Sequence, residues 1–127
     1  MKVLVLVLFL FTFTSSFCQK KFENLPPTKE NILLVCEYHQ ILFPKYVLAQ
    51  AIQESGLKLK THNNLFGLKY TKGLYRFSHW SYSVKAYKEK IQSRYKQGES
   101  YLGFLKRIKY ARDPNYINSL KRIVNTL

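Results

Sequence analysis

The stretch Ala49-Gln50-Ala51-Ile52-Gln53-Glu54-Ser55-Gly56 decides how the rest of the chain is read. Pro44 ahead of it fits the first turn of a helix, where its missing N–H would have no partner anyway. Val47, Leu48, Ala51, Ile52 and Ser55 then fall on one face at helical spacing. Gly56 follows, and glycine readily takes the left-handed conformation with which helices commonly stop. Glu54 is therefore expected in the last turn, where the helix carries partial negative charge that disfavours a carboxylate. Apolar neighbours such as Leu48 and Ile52 would disfavour the charge further by desolvation. Both effects keep a proton on the carboxyl, the state a general acid needs near neutral pH. Spacing alone leaves open the plainer reading, a solvated glutamate at a helix end.

Working outward, Thr28 can cap an upstream helix whose apolar positions include Ile32, Val35, Cys36 and His39. Residues 57–68 lose helical period, and His62-Asn63-Asn64 reads as loop because Asn tolerates turn geometry and bonds its own backbone. A short hairpin is expected from Leu65 to Tyr70, a turn at Gly73 and a second strand through the aromatic-rich Leu74 to Trp80. Helices resume near Ser83, with Val84, Tyr87, Ile91 and Tyr95 at helical spacing. Ser100 can cap another, with Tyr101, Leu105 and Ile108 on one side. The last helix has Asp113 as N-cap, Pro114 at its first position and a stripe of Tyr116, Leu120, Ile123 and Leu127. About five helices with one inserted hairpin make an α+β, mostly α domain.

The chain opens with Met1-Lys2 and an apolar run from Val3 to Phe13, too short to span a bilayer. A lysine, a short apolar stretch and small residues near Ser15 and Ser16 describe a secretory signal peptide. Ser16 and Cys18 set the cut before Gln19; acylation of Cys18, as in a lipoprotein, is the rival reading, opposed by the bulk of Phe17. The expected organisation is a signal peptide over 1–18, an N-terminal arm over 19–27 and one domain over 28–127. The destination is then the periplasm, the cell envelope or the extracellular space, with no stable membrane span once the signal is gone. Removing residues 1–18 takes away one charge, Lys2, so 20 Lys and Arg against 7 Asp and Glu leave +13. Such an excess calls for a polyanionic partner or surface. Export turns this from nucleic acid toward cell wall, whose peptide stems carry carboxylates. Cys36 alone remains after cleavage, so no internal disulfide forms and the fold must stand on its core.

The acids are Glu23, Glu30, Glu37, Glu54, Glu89, Glu99 and Asp113. His39, His62 and His79 are scattered, without Cys or acid partners at ligand spacing, so neither a metal nor a cofactor is expected. No glycine-rich phosphate loop occurs. A catalytic triad is a spatial arrangement that spacing cannot test.

Beyond these readings, four segments in order resemble a known family. They are Ala49 to Gly56, then Asn63-Asn64-Leu65-Phe66-Gly67-Leu68-Lys69, then Trp80 to Tyr87, then Tyr110-Ala111-Arg112-Asp113-Pro114-Asn115-Tyr116. Together they resemble the glucosaminidase family of peptidoglycan hydrolases, glycoside hydrolase family 73. This family includes the hydrolase domain of the flagellar rod-assembly protein and several autolysins. The resemblance runs from about residue 28 to the C terminus. It implies a lysozyme-like fold with a helical lobe, a small β-hairpin lobe and a cleft between them. It implies endo-β-N-acetylglucosaminidase activity on the β-1,4 glycan backbone, with Glu54 as the catalytic acid. Tyr110 and Tyr116 align with tyrosines of the motif that closes the cleft. Asn64, Phe66 and Gly67 match the segment joining the catalytic helix to the hairpin, where substrate contact and a bracing role stand as equal readings. Tyr82, like Tyr70 and Tyr75, lies in or beside the hairpin and is a candidate for sugar contact, because tyrosine stacks on sugar rings and bonds their hydroxyls. Tyr87, Tyr95, Tyr101 and Trp80 read as core.

The chain departs from the family in one respect. Many members carry a second carboxylate facing the acid, yet no Asp or Glu occurs between Glu54 and Glu89. A two-carboxylate mechanism needs its partner within about 5–10 Å. Glu89 is expected on a later helix, and Glu37 lies upstream on the first. The N-acetyl group of the substrate can take the place of the missing nucleophile. Two alternatives stand beside this: a degenerate protein that binds wall without cutting it, and a lytic transglycosylase that works with a single glutamate. The expected partner is the glycan strand of peptidoglycan, with no nucleic acid, bound by a monomer whose spread lysines make binding weaken with salt.

Overall fold

The computed structural model describes residues 21–59 and 61–127. The signal-peptide reading of residues 1–18 and the first two residues of the arm lie outside the described residues. Five α-helices are present among the described residues: α1 (Lys29–Tyr38), α2 (Pro44–Ser55), α3 (Trp80–Lys90), α4 (Tyr101–Arg107) and α5 (Tyr116–Thr126). Strands β1 (Lys69–Tyr70) and β2 (Gly73–Leu74) lie between α2 and α3, and a 3-10 turn, Gln92–Arg94, follows α3. The domain is α+β and mostly α. No helix among the described residues is long and apolar enough to cross a membrane.

The helix ends follow local chemistry. Thr28 Oγ1 accepts from the Asn31 N–H at 3.2 Å and starts α1. Pro44 opens α2, and Gly56 ends it at φ 60°, its N–H bonded to the Ile52 carbonyl at 2.8 Å. Ser100 Oγ accepts from the Gly103 N–H at 3.1 Å and starts α4.

Three boundaries differ from expectation, each for a side-chain reason. α3 begins at Trp80 because the His79 ring caps it, accepting from the Ser81 N–H. α5 begins at Tyr116, two residues after Pro114, because Asp113 Oδ1 accepts from the Asn115 N–H at 2.8 Å and closes a turn first. The hairpin strands have only two residues each, with Lys69 opposite Leu74 and Tyr70 opposite Gly73, so Thr71 and Lys72 form the turn. Asn64 accounts for the shortness. Its amide donates to the carbonyls of Leu68 at 2.9 Å and Tyr75 at 3.1 Å, and its oxygen accepts from the Leu68 N–H at 3.0 Å. A buried side chain thus takes backbone groups that a longer ladder would have paired.

The core lies around α2, which packs most extensively against α5 and also against α1, while α1 packs on α3. Val47, Leu48, Ala49 and Ala51 of α2 meet Ile32, Val35 and Cys36 of α1, Val84 and Tyr87 of α3, Phe104 and Leu105 of α4 and Leu120 of α5 in one buried cluster. Each large side chain so buried contributes about 1.5–3 kcal/mol. Burial pushes the Cys36 thiol up to about 12, so it serves as a small hydrophobe. The arm is tied down as well. The Leu25 carbonyl accepts from Trp80 Nε1 at 2.7 Å, and the buried Phe22 ring meets Tyr38 edge-on at 5.1 Å.

Candidate active site at the end of α2

α2 carries Glu54 to the mouth of a cleft of about 700 Å³. The end of α2 forms one side, and residues 66–69 leading into β1 form the floor. Ile91, Arg94 and residues 108–112 after α4 complete the lining. Glu54 is exposed to this space, while its carboxyl is desolvated by the walls it rests against. Desolvation is the largest influence and raises its pKa above the ordinary 4.5. The neighbouring Tyr116 hydroxyl and the charge of Lys69 act in the opposite direction. The net is a raised pKa, as helix position and apolar neighbours led one to expect.

The Tyr116 hydroxyl is itself held from behind. Gln50 lies one helical turn before Glu54 and is fully buried. Its Nε2 donates to the Tyr116 oxygen at 3.3 Å, so the single Tyr116 proton is free to point at Glu54. Gln50 Oε1 accepts from the hydroxyls of Tyr87 at 2.5 Å and Tyr101 at 3.3 Å, and those two hydroxyls also touch each other. Gln92 continues the chain, donating to the Tyr101 oxygen at 3.3 Å and to the Leu42 carbonyl at 2.7 Å. Among the described residues, no buried side-chain polar atom lacks a partner. Satisfied networks of this kind fix geometry in a low-dielectric interior.

Gly67 stands beside the acid. Its φ is +60°, and a methyl group added there would lie 3.6 Å from Glu54 Oε2. Phe66 is buried, its ring 4.4 Å from that of Tyr87, and its edge reaches the cleft. Tyr110 lines the cleft too, donating to the Phe66 carbonyl at 3.4 Å, with its ring 5.7 Å from Tyr116.

Glu54, Phe66, Gly67, Tyr110 and Tyr116 are therefore brought together. Asn64 sits behind them and braces the hairpin through its three hydrogen bonds. Tyr82 is elsewhere: its hydroxyl donates to Glu23 Oε1 at 2.7 Å, on the arm, and it does not line the cleft. Tyr70 and Tyr75 pair on the hairpin at 5.0 Å. Glu89 lines a separate groove with Lys85 and Lys88. Among the described residues that line the cleft, Glu54 is the only acid, against Lys69, Arg94, Lys109 and Arg112. No group of three or more His, Cys, Asp or Glu among the described residues could hold a metal ion.

Sequence reasoning missed Gln50 and the basic rim. Gln50 had one available signal, since it lies four residues before Glu54 and so on the same helical face. An amide amid Val47, Leu48 and Ala51 needs a buried partner.

Comparison with curated proteins gives no match. Residues 33–127 match the glucosaminidase family, described as mannosyl-glycoprotein endo-beta-N-acetylglucosaminidase. A match over three quarters of the 127 residues, enclosing the end of α2, the hairpin and α5, is decisive: the chain belongs to the glucosaminidase family of glycoside hydrolases, endo-β-N-acetylglucosaminidases that act on glycans.

Proposed function

We propose that the protein is exported and cleaves the β-1,4 backbone of peptidoglycan as an endo-β-N-acetylglucosaminidase, with Glu54 as general acid. The observation that carries this reading is Glu54 itself, a desolvated carboxyl and, among the described residues, the only acid lining the cleft. Desolvation favours the protonated form that a general acid needs. Tyr116 and Lys69 favour the carboxylate once the proton has left. An acid poised between these influences suits a group that must donate and then recover a proton.

With no second carboxylate among the described residues that line the cleft, the nucleophile comes from the substrate. The acetamide oxygen of the N-acetylglucosamine attacks its own anomeric carbon as the glycosidic C–O bond breaks. Glu54 gives its proton to the departing oxygen. Water then attacks the same carbon, the ring formed by the acetamide reopens, and the water's proton returns to Glu54. Half-buried Tyr110 supplies apolar surface on which a sugar ring can stack. The net charge of +14 favours a carboxylate-bearing wall over a neutral glycan.

The test is digestion of purified peptidoglycan, with products reduced, separated and weighed by mass spectrometry. New N-acetylglucosamine reducing ends are expected. Anhydro-muramic ends would make the protein a lytic transglycosylase instead, and intact glycan that still binds the protein would make it a wall-binding protein without turnover.

A further inference from the structure

A second concavity, of about 550 Å³, lies between the end of α4 and the start of α5. Lys106, Lys109, Arg112 and Lys121 line it, with Asp113 as the only acid among the described residues there. The Asp113 carboxylate is already engaged with the Asn115 N–H. The ion pair recorded among the described residues is Arg107–Glu99, so none of these four cations has one there. Half-buried Ile117 gives the concavity an apolar floor.

Its position matters as much as its charge. Residues 109–112 line both this concavity and the cleft that holds Glu54. A branch leaving a sugar in the cleft has only that strip of chain to cross. Lys109 sits on it, exposed, between the two concavities. N-acetylated sugars are neutral and give four cations nothing to pair with. A short peptide branch supplies carboxylates for the cations and alkyl side chains for the floor.

We propose that this concavity is a subsite for the carboxylate-bearing peptide branch of the glycan, and that Lys106 and Lys121 set the preference for branched over bare strands. This rests on the reading of peptidoglycan as substrate. Exposed charge pairs are individually weak, so two of them amount to roughly threefold to tenfold in affinity.

The test compares glycan strands that keep their peptide stems with the same strands stripped by an amidase. Two readouts are used: kcat/KM for the full mature chain, and equilibrium binding to the Glu54→Gln protein, which needs no turnover. Wild type is expected to prefer stem-bearing strands, chiefly through KM. Lys106→Gln/Lys121→Gln lowers the preference by roughly threefold to tenfold. Lys106→Arg/Lys121→Arg keeps it, and so does Lys29→Gln/Lys45→Gln, which removes the same charge elsewhere. Equal use of both strands by wild type would overturn the subsite. So would an equal loss in the Lys29/Lys45 variant, which would assign the preference to diffuse charge. A binding preference without cleavage of either strand would keep the subsite and refute the hydrolase reading instead.

Discussion

Replacing Tyr116 by Phe removes one oxygen and should have two separable effects. The ring stays, so its packing against Tyr110 is retained. The first effect is on stability. Gln50 is 0 % exposed, and its Nε2 has the Tyr116 oxygen as its partner, so the variant strands a buried donor. Leaving such a group unpaired costs about 1–3 kcal/mol. For a domain of this size each kcal/mol lowers Tm by roughly 4–8 °C. The second effect is on the acid. The nearby Tyr116 hydroxyl favours ionised Glu54, so its removal moves the pKa of Glu54 upward. Catalysis needs the protonated form, and the alkaline limb of kcat against pH reports that pKa. Tyr116→Phe therefore shifts the limb to higher pH. Thermal melts and a pH–rate profile on soluble glycan strands measure the two effects separately. An unchanged Tm together with a limb that stays still or moves to lower pH would refute the chain from Gln50 through Tyr116 to Glu54.

Further outcomes follow from the same geometry. Because burial raises the pKa of Glu54 in the folded state above 4.5, its ionisation costs stability as pH rises through the folded value; below 4.5 both states are protonated. Glu54→Gln should thus melt above wild type at neutral pH, the gap closing in acid, and a lower melting point at pH 7 would contradict this. Gly67→Ala forces a β-carbon into the left-handed region at about 1–2 kcal/mol and sets a methyl 3.6 Å from Glu54 Oε2, so both melting point and cleavage rate should fall. Glu99 is held down to about 2, first by its hydrogen bonds from Arg107, so the stability it contributes is intact above 4.5 and lost as pH falls toward 2; melts of Glu99→Gln should lack that acid-side loss. Tyr82→Phe removes only the bond to Glu23 and should keep kcat/KM within about twofold, whereas a larger loss would put Tyr82 in contact with substrate.

How much of this was legible beforehand depended on whether the cause was local. Thr28, Pro44, Gly56 and Ser100 act within one turn, and each marks its helix end where spacing put it. The place of Glu54 in the last turn of α2 was legible for the same reason, whereas the walls around its carboxyl come from distant parts of the chain. The hairpin was expected longer because Asn64 reads as loop, and nothing local reveals that its side chain reaches Leu68 and Tyr75. Tyr87 and Tyr101 were read as core and are buried, but their hydroxyls meet Gln50 across 37 and 51 residues. The basic rim is likewise assembled from β1, the 3-10 turn and the loop after α4. Such groupings exist only once the helices have packed.

The central claim is that Glu54 supplies the proton. Its most direct test is the rate at which new reducing ends appear when the protein and its Glu54→Gln variant digest the same peptidoglycan, with both confirmed folded by thermal melts. Loss of a general acid should slow cleavage by about 10²–10⁴-fold while the folded variant still binds the wall. A variant that cuts within a few-fold of wild type would contradict the account and move the acid elsewhere.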